Sequence, residues 1–81
     1  MYYVYILHTI SSPVQKYVGF TKNLEKRLAK HNEGGCKHTA KFKPWEIVWF
    51  CAFPSKYKAL DFEKYLKSHS GKAFASKRLL P

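Results

Sequence analysis

The chain has 81 residues, the size of one domain, and burying about 60–65% of its unfolded surface leaves it little core beyond what its 17% aromatic content supplies. Fifteen Lys and Arg against five Asp and Glu give a net charge of +10, which suits a polyanion such as nucleic acid or an anionic membrane surface. A hydrophobic share of 46%, spread along the chain, excludes a disordered polymer, and no apolar run is long enough to span a bilayer.

The opening MYYVYILH lacks the basic start and small-residue cleavage site of a signal peptide, so export is not indicated. It reads instead as a strand, Tyr2–Thr9, rich in Tyr, Val and Ile. Ser11-Ser12-Pro13 marks a turn, and Lys16–Thr21 reads as the second strand of a hairpin. Side chains alternate along strands, so Val4, Ile6, Val18 and Phe20 belong to one face and Tyr3, Tyr5, Tyr17 and Gly19 to the other. Asn23 caps a helix running to about Asn32, which Gly34-Gly35 stops. The segment from Glu33 to Pro44 reads as a loop, long for so small a domain and therefore a candidate functional segment. Trp45–Phe53 is almost continuously apolar and reads as a largely buried third strand. Ser55 caps a second helix, about Lys56 to Ser68; Ser70-Gly71 breaks it, and a short third helix runs from about Lys72 to Leu80. The order β-β-α-β-α-α predicts an α+β domain, a small three-stranded antiparallel sheet flanked by helices, spanning residues 1–81 as one unit.

Several polar residues stand where packing alone does not ask for them. On the first helix Leu24, Leu28 and His31 share a stripe, with Arg27 at its edge and one turn before His31. A solvated Arg and a half-buried His satisfy the same pattern. On the second helix Glu63 borders the apolar face made by Ala59, Leu60 and Leu66, one of only five acids in the chain. It suits a divalent-metal ligand, since Mg²⁺ is held by one carboxylate, waters and a substrate phosphate. It equally suits a surface pair with Lys67, four residues on. Tyr5 and Tyr17 share a face with Gly19, and a strand glycine often marks close approach by another group; aromatic packing and a bulge account for the same residues. His31, Cys36 and His38 lie near one another without the spacing of a zinc site. Cys36 and Cys51 read as free thiols in a reducing cytoplasm.

Taken together these segments are more specific than any one of them. Tyr3-Val4-Tyr5, followed after a short hairpin by Tyr17-Val18-Gly19, resembles the two half-motifs that name the GIY-YIG nucleases. Thr21 to Leu28 followed by His31-Asn32 resembles that family's first helix, Pro44-Trp45 its entry to the third strand, and Ala59 to Ser68 its glutamate-bearing helix. The likeness covers nearly the whole chain and is strongest to the small stand-alone bacterial members. It departs from the pattern at Tyr3, where the family has glycine, at Phe20, where a smaller residue is usual, and at His69, where glycine is common.

The resemblance implies a divalent-metal-dependent endonuclease that cuts phosphodiester bonds in nucleic acid, DNA in preference to RNA, with structure-specific cutting in repair or processing as the expected setting. It implies catalytic roles for Tyr5, Tyr17, Arg27, His31 and Glu63, with Glu63 holding Mg²⁺ or Mn²⁺. Arg27 would offset charge developing on phosphate. Tyr17 would take a proton from the attacking water; a free phenol ionises near pH ~10, so this role needs cations nearby. Lys16, Lys22, Lys37, Lys41 and Lys43 are the expected phosphate-binding residues. The expected partner is nucleic acid, with no membrane and no obligate protein partner. The chain leaves no room for an added targeting domain, so sequence specificity is not expected of it. The competing reading is a catalytically silent nucleic-acid-binding module, and all five family positions are filled, which argues against it.

Overall fold

The computed structural model describes residues 1–11 and 14–81. In chain order its elements are β1 (Tyr2–Thr9), β2 (Lys16–Thr21), α1 (Leu24–Asn32), α2 (Lys37–Ala40), β3 (Trp45–Phe53), α3 (Lys56–Lys67) and α4 (His69–Arg78). The strands form one antiparallel sheet in the order β2-β1-β3. This is the expected α+β arrangement with one addition, the single-turn helix α2 inside the segment read as a loop. A turn of four residues is too short to show a helical period, so sequence patterning does not reveal it. Ser12 and Pro13, part of the expected turn, lie outside the described residues.

β1 is the central strand and is buried on both faces. Val4 and Ile6 join Ala59, Leu66 and Ala75 in the core between the sheet and α3 and α4. Tyr5 and Leu7 join Trp45, with Tyr17, Leu24, Leu28 and Phe42 around them, in a second core under α1 and α2. The hairpin registers Tyr5 against Gly19 and Leu7 against Tyr17, so the two faces divide as alternation predicts.

The third strand departs from expectation. β3 lies at the sheet edge, and Glu46, Phe50 and Ala52 are exposed, Phe50 by 53%. A continuous apolar run does not distinguish a central strand from one whose two halves face different layers. Here a bulge does the switching. Ile6 pairs with Trp49 while Leu7 pairs with Ile47, leaving Val48 as the extra residue. The bulge flips the phase of the strand, so Trp45 and Ile47 serve the α1 core while Trp49, Cys51 and Phe53 serve the α3 core.

The caps follow the sequence closely. Asn23 Oδ1 accepts from the Lys26 amide at 3.0 Å, and Gly34 takes the left-handed backbone, φ 82°, just beyond α1. Ser55 Oγ accepts from the Lys58 amide at 3.4 Å. Ser68 ends α3 and begins α4, its Oγ accepting from the Gly71 amide at 3.1 Å. The expected break at Ser70-Gly71 is therefore absent, and α4 begins at His69. Gly71 sits buried inside its first turn, where an added Cβ would lie 1.7 Å from the Tyr65 carbonyl oxygen. The glycine lets α4 start directly against the last turn of α3 rather than ending a helix. Among the described residues no helix is long and apolar enough to cross a membrane.

Candidate active site

The site is assembled where α1 crosses the β1–β2 hairpin. Tyr5 is 1% exposed, and its ring lies across the backbone of Gly19 on the neighbouring strand. A Cβ at Gly19 would come within 2.3 Å of the Tyr5 hydroxyl, so this strand glycine is the clearance for the tyrosine. α1 places Arg27 and His31 one turn apart above that hydroxyl. Arg27 Nε donates to Tyr5 Oη at 3.2 Å, and Tyr5 Oη lies 3.0 Å from His31 Nε2. On its other side His31 Nδ1 is 2.7 Å from Thr39 Oγ1, and Thr39 Oγ1 donates to the Cys36 carbonyl at 3.3 Å.

One arrangement of protons satisfies all of these partners at once. In it the Thr39 hydroxyl donates to the Cys36 carbonyl and accepts from His31, with the ring proton on Nδ1. Nε2 is then a bare acceptor, and the Tyr5 hydroxyl donates to it. The Tyr5 oxygen in turn accepts from Arg27, which has only donors. The hydrogen bonds thus run one way, from Arg27 through Tyr5, His31 and Thr39 to the Cys36 carbonyl.

The electrostatics agree with that direction. Burial pushes the Tyr5 hydroxyl up to about 12, against the opposing pull of Arg27, so it keeps the proton it donates. Burial, and then the Arg27 charge, push the His31 imidazole below its ordinary value and hold it neutral. The bond to Tyr5 raises Arg27 further above its ordinary range, and the nearby Tyr17 hydroxyl adds to this. Tyr17 is half-buried at the rim, its ring 5.0 Å from that of His31 and 6.4 Å from that of Tyr5. Tyr17 and Arg27 are therefore the members of the group that reach solvent, while Tyr5 and His31 support them from beneath. His31 is fully buried rather than half-buried, because α2 folds over it.

Thr39 is a site residue that sequence patterning does not reveal. It is 1% exposed, and the Trp45 indole holds its carbonyl at 2.8 Å, locking α2 onto the start of β3. Asn32 clamps the same strand start, accepting from the Trp45 amide at 2.6 Å and donating to its carbonyl at 3.0 Å. A threonine inside an apparent loop carries no signal of its own; only the fold of residues 36–42 over α1 gives it a partner.

Glu63 stands apart from this bonded chain. It lies on α3, which packs against β1 and β2 from the other face of the sheet, and it pairs with Lys67 at 3.2 Å. Its helix nonetheless reaches the same sheet edge as Tyr17, since Tyr17 and Lys67 border one groove. No group of three His, Cys, Asp or Glu side chains gathers among the described residues. One half-buried carboxylate fits a hard cation such as Mg²⁺ that keeps most of its waters and takes other oxygens from substrate; it does not fit a closed protein cage. The predicted phosphate-binding lysines are all exposed and are carried by different segments of the fold. Lys37, Lys41 and Lys43 lie on and beyond α2, Lys16 lies on the outer strand β2, and Lys22 rests over the Tyr2 ring at 5.4 Å.

Comparison with known proteins matches residues 1–78 to the GIY-YIG catalytic domain. UPF0213 protein CPE1444 of Clostridium perfringens is 43% identical over 68 residues, covering 83% of this chain and 71% of the relative. The protein named "Structure-specific endonuclease subunit SLX1" of Debaryomyces hansenii is 41% identical over 73 residues, covering 82% of this chain and 21% of the relative. The protein named as its homolog in Giardia intestinalis is 37% identical over 65 residues, covering 75% of this chain and 18% of the relative. The chain thus spans about a fifth of the length of these two endonuclease subunits. With the domain matched over nearly the whole chain and a relative covered over 71% of its length, the chain belongs to the GIY-YIG family.

Proposed function

We propose that this chain is a divalent-metal-dependent endonuclease that hydrolyses phosphodiester bonds in nucleic acid, in DNA ahead of RNA, on structured substrates of the kind met in repair or processing. The observation that carries this reading is the one-way chain from Arg27 through Tyr5 to His31 set beneath the half-exposed Tyr17. A core requires no such polar chain, and it holds a guanidinium and a phenol in fixed orientation at a surface. The relatives named as structure-specific endonuclease subunits supply the substrate class. The free thiols of Cys36 and Cys51 fit a reducing, cytoplasmic setting.

In this mechanism Tyr17 orients the attacking water and takes its proton as the oxygen reaches phosphorus. The Arg27 guanidinium faces both Tyr17 and the phosphate, stabilising the phenolate and the charge that gathers on the nonbridging oxygens. Tyr5 holds Arg27 by its Nε, leaving the outer nitrogens for substrate, and stays protonated because His31 accepts from it. Glu63 would hold Mg²⁺ or Mn²⁺ on exchange of its Lys67 partner, and such a cation would neutralise the phosphate and the departing oxygen. The exposed lysines Lys16, Lys22, Lys37, Lys41 and Lys43 supply the phosphate field that draws the substrate in.

The test is a panel of end-labelled duplex, branched and single-stranded DNA, with RNA counterparts, incubated with Mg²⁺, Mn²⁺ or chelator. Cleavage of DNA structures that chelator abolishes is the expected result. Tight binding across the panel with no cut product would instead make the chain a nucleic-acid-binding module.

A further inference from the structure

Behind Tyr17, on the far side of β2, a groove of about 490 Å³ opens between the sheet edge and α4. It lies where α4, packed on α3 and reaching the sheet core through Ala75, leaves a gap beside the outer strand β2. Half-buried Val18 and Leu80 and the nearly inaccessible Leu66 and Ala75 make its apolar lining, and Lys16, Lys67, Lys72 and Ser76 its polar lining. No carboxylate lines it. Its volume is in the range of sites that enclose a small ligand, roughly 300–1,000 Å³. Lys67 and Lys72 were not among the residues that the sequence offered for nucleic acid.

We infer that this groove seats a single nucleotide of the bound strand, turned out of its stack, with its base against Val18 and Leu80 and its phosphate between Lys16 and Lys72. The chemistry of the groove selects that occupant. With Lys67 held by Glu63 at 3.2 Å, Lys16 and Lys72 remain to take an anion, and the apolar lining beside them calls for a flat apolar body attached to it. A nucleotide carries both in one unit. Tyr17 borders the groove as well as the candidate active site, so the seated nucleotide adjoins the phosphate to be cut. Turning a base out costs least where it is unpaired, so the groove favours cutting next to an unpaired nucleotide. The choice of occupant rests on the nuclease reading, but the groove itself is tested by binding alone.

The full chain, labelled on methyl groups and backbone amides, is titrated in separate arms with deoxyadenosine 5′-monophosphate, inorganic phosphate and deoxyadenosine. The monophosphate is expected to shift the methyls of Val18 and Leu80 saturably, with a dissociation constant on the order of millimolar, about −4 kcal/mol. Phosphate alone is expected to leave those methyls still, and deoxyadenosine to bind at least about tenfold more weakly, a loss of about 1.4 kcal/mol. Lys72→Glu reverses one rim charge and Ser76→Trp fills the groove; both positions are exposed, and both variants are expected to abolish the methyl shifts while leaving the Tyr5 and His31 resonances in place. Methyls that do not move, unchanged affinity in both variants, or a pattern that phosphate reproduces alone would each overturn the proposal. A protein that cuts nothing yet binds the monophosphate in the groove loses the nuclease reading and keeps the groove. One that cuts DNA but leaves the groove methyls unmoved does the reverse.

Discussion

His31 Nδ1 and Thr39 Oγ1 lie 2.7 Å apart, both residues buried, and that contact decides which ring nitrogen faces Tyr5. Thr39→Val keeps the shape and removes the acceptor. The Nδ1 proton is then buried without a partner, at a cost of about 1–3 kcal/mol, unless the ring moves its proton to Nε2. That shift would stop Tyr5 from donating to His31 and would disturb Arg27. Imidazole ¹⁵N chemical shifts are expected to report the Nδ1–H tautomer in the wild type and in Thr39→Ser, and the other tautomer or a mixture in Thr39→Val. Cleavage should follow the same split, with kcat falling in the valine variant and preserved by serine. Identical ring shifts in all three proteins would remove Thr39 from any orienting role.

Glu63→Gln keeps the size of the side chain and removes its charge. Cleavage of a verified substrate is expected to fall by at least about 10²–10³-fold, the scale of losing one strong electrostatic catalyst. Binding should persist or tighten, because an acid facing phosphate is gone. Arg27→Ala should weaken both. A wild-type cleavage rate in Glu63→Gln would leave Glu63 as the Lys67 ion-pair partner and nothing more.

Stability should fall on acidification. His31 in the folded chain is held below its ordinary value, so the unfolded chain takes up a proton first as pH drops. Below about pH 6.5 the unfolded state binds more protons at this site, and folding stability declines until the folded-state value is also passed. Urea midpoints measured from pH 8 downward should decline below about pH 6.5 in the wild type and more shallowly in His31→Gln. At the alkaline end Tyr5 acts in the opposite direction. Its folded value of about 12 means that stability is complete below the free tyrosine value near pH ~10 and is lost as pH rises toward 12. Tyrosinate absorbance should show a late-titrating group that Tyr5→Phe lacks.

Gly71→Ala is normally a helix-stabilising exchange, by about 0.8–1.0 kcal/mol. Here the new methyl would meet the Tyr65 carbonyl at 1.7 Å, so the junction of α3 and α4 must open. A net loss of about 1–3 kcal/mol is expected, on the scale of overpacking. Thermal denaturation of the single variant settles the sign; a raised midpoint would mean that the two helices are not held this close.

Nucleic-acid binding should weaken steeply with salt. With a charge of +10, phosphate contacts dominate, and log K should fall against log salt by roughly 0.7–0.9 per phosphate neutralised. Lys37→Ala and Lys41→Ala should each reduce that slope without changing sequence preference. Affinity that is flat from low to high salt would rule out a phosphate-dominated interface.

The sequence by itself determined the three strands, the helices α1 and α3, and the two faces of the hairpin. Alternation placed Tyr5, Tyr17 and Gly19 together and set Val4 and Ile6 against them, because strand periodicity is a local property of the backbone. Asn23, Ser55 and Gly34 marked helix ends for the same reason, since capping and left-handed geometry involve only a few neighbouring residues. The spacing of Arg27 and His31 on one helix put both above the same strand. What tertiary structure alone decided depends on contacts across the chain. The bulge at Val48 splits one apolar run between two cores, and no local pattern encodes which half faces which helix. Gly71 reads as a breaker in one dimension and is a close approach in three, because its neighbour is the Tyr65 carbonyl of the preceding helix. Thr39 becomes the orienting partner of His31 only when residues 36–42 fold back over α1, a long-range closure that leaves no periodic trace. The lysine-lined groove likewise comes from residues of β2, α3 and α4 that meet only through the packing of α4 on α3 and on the sheet core.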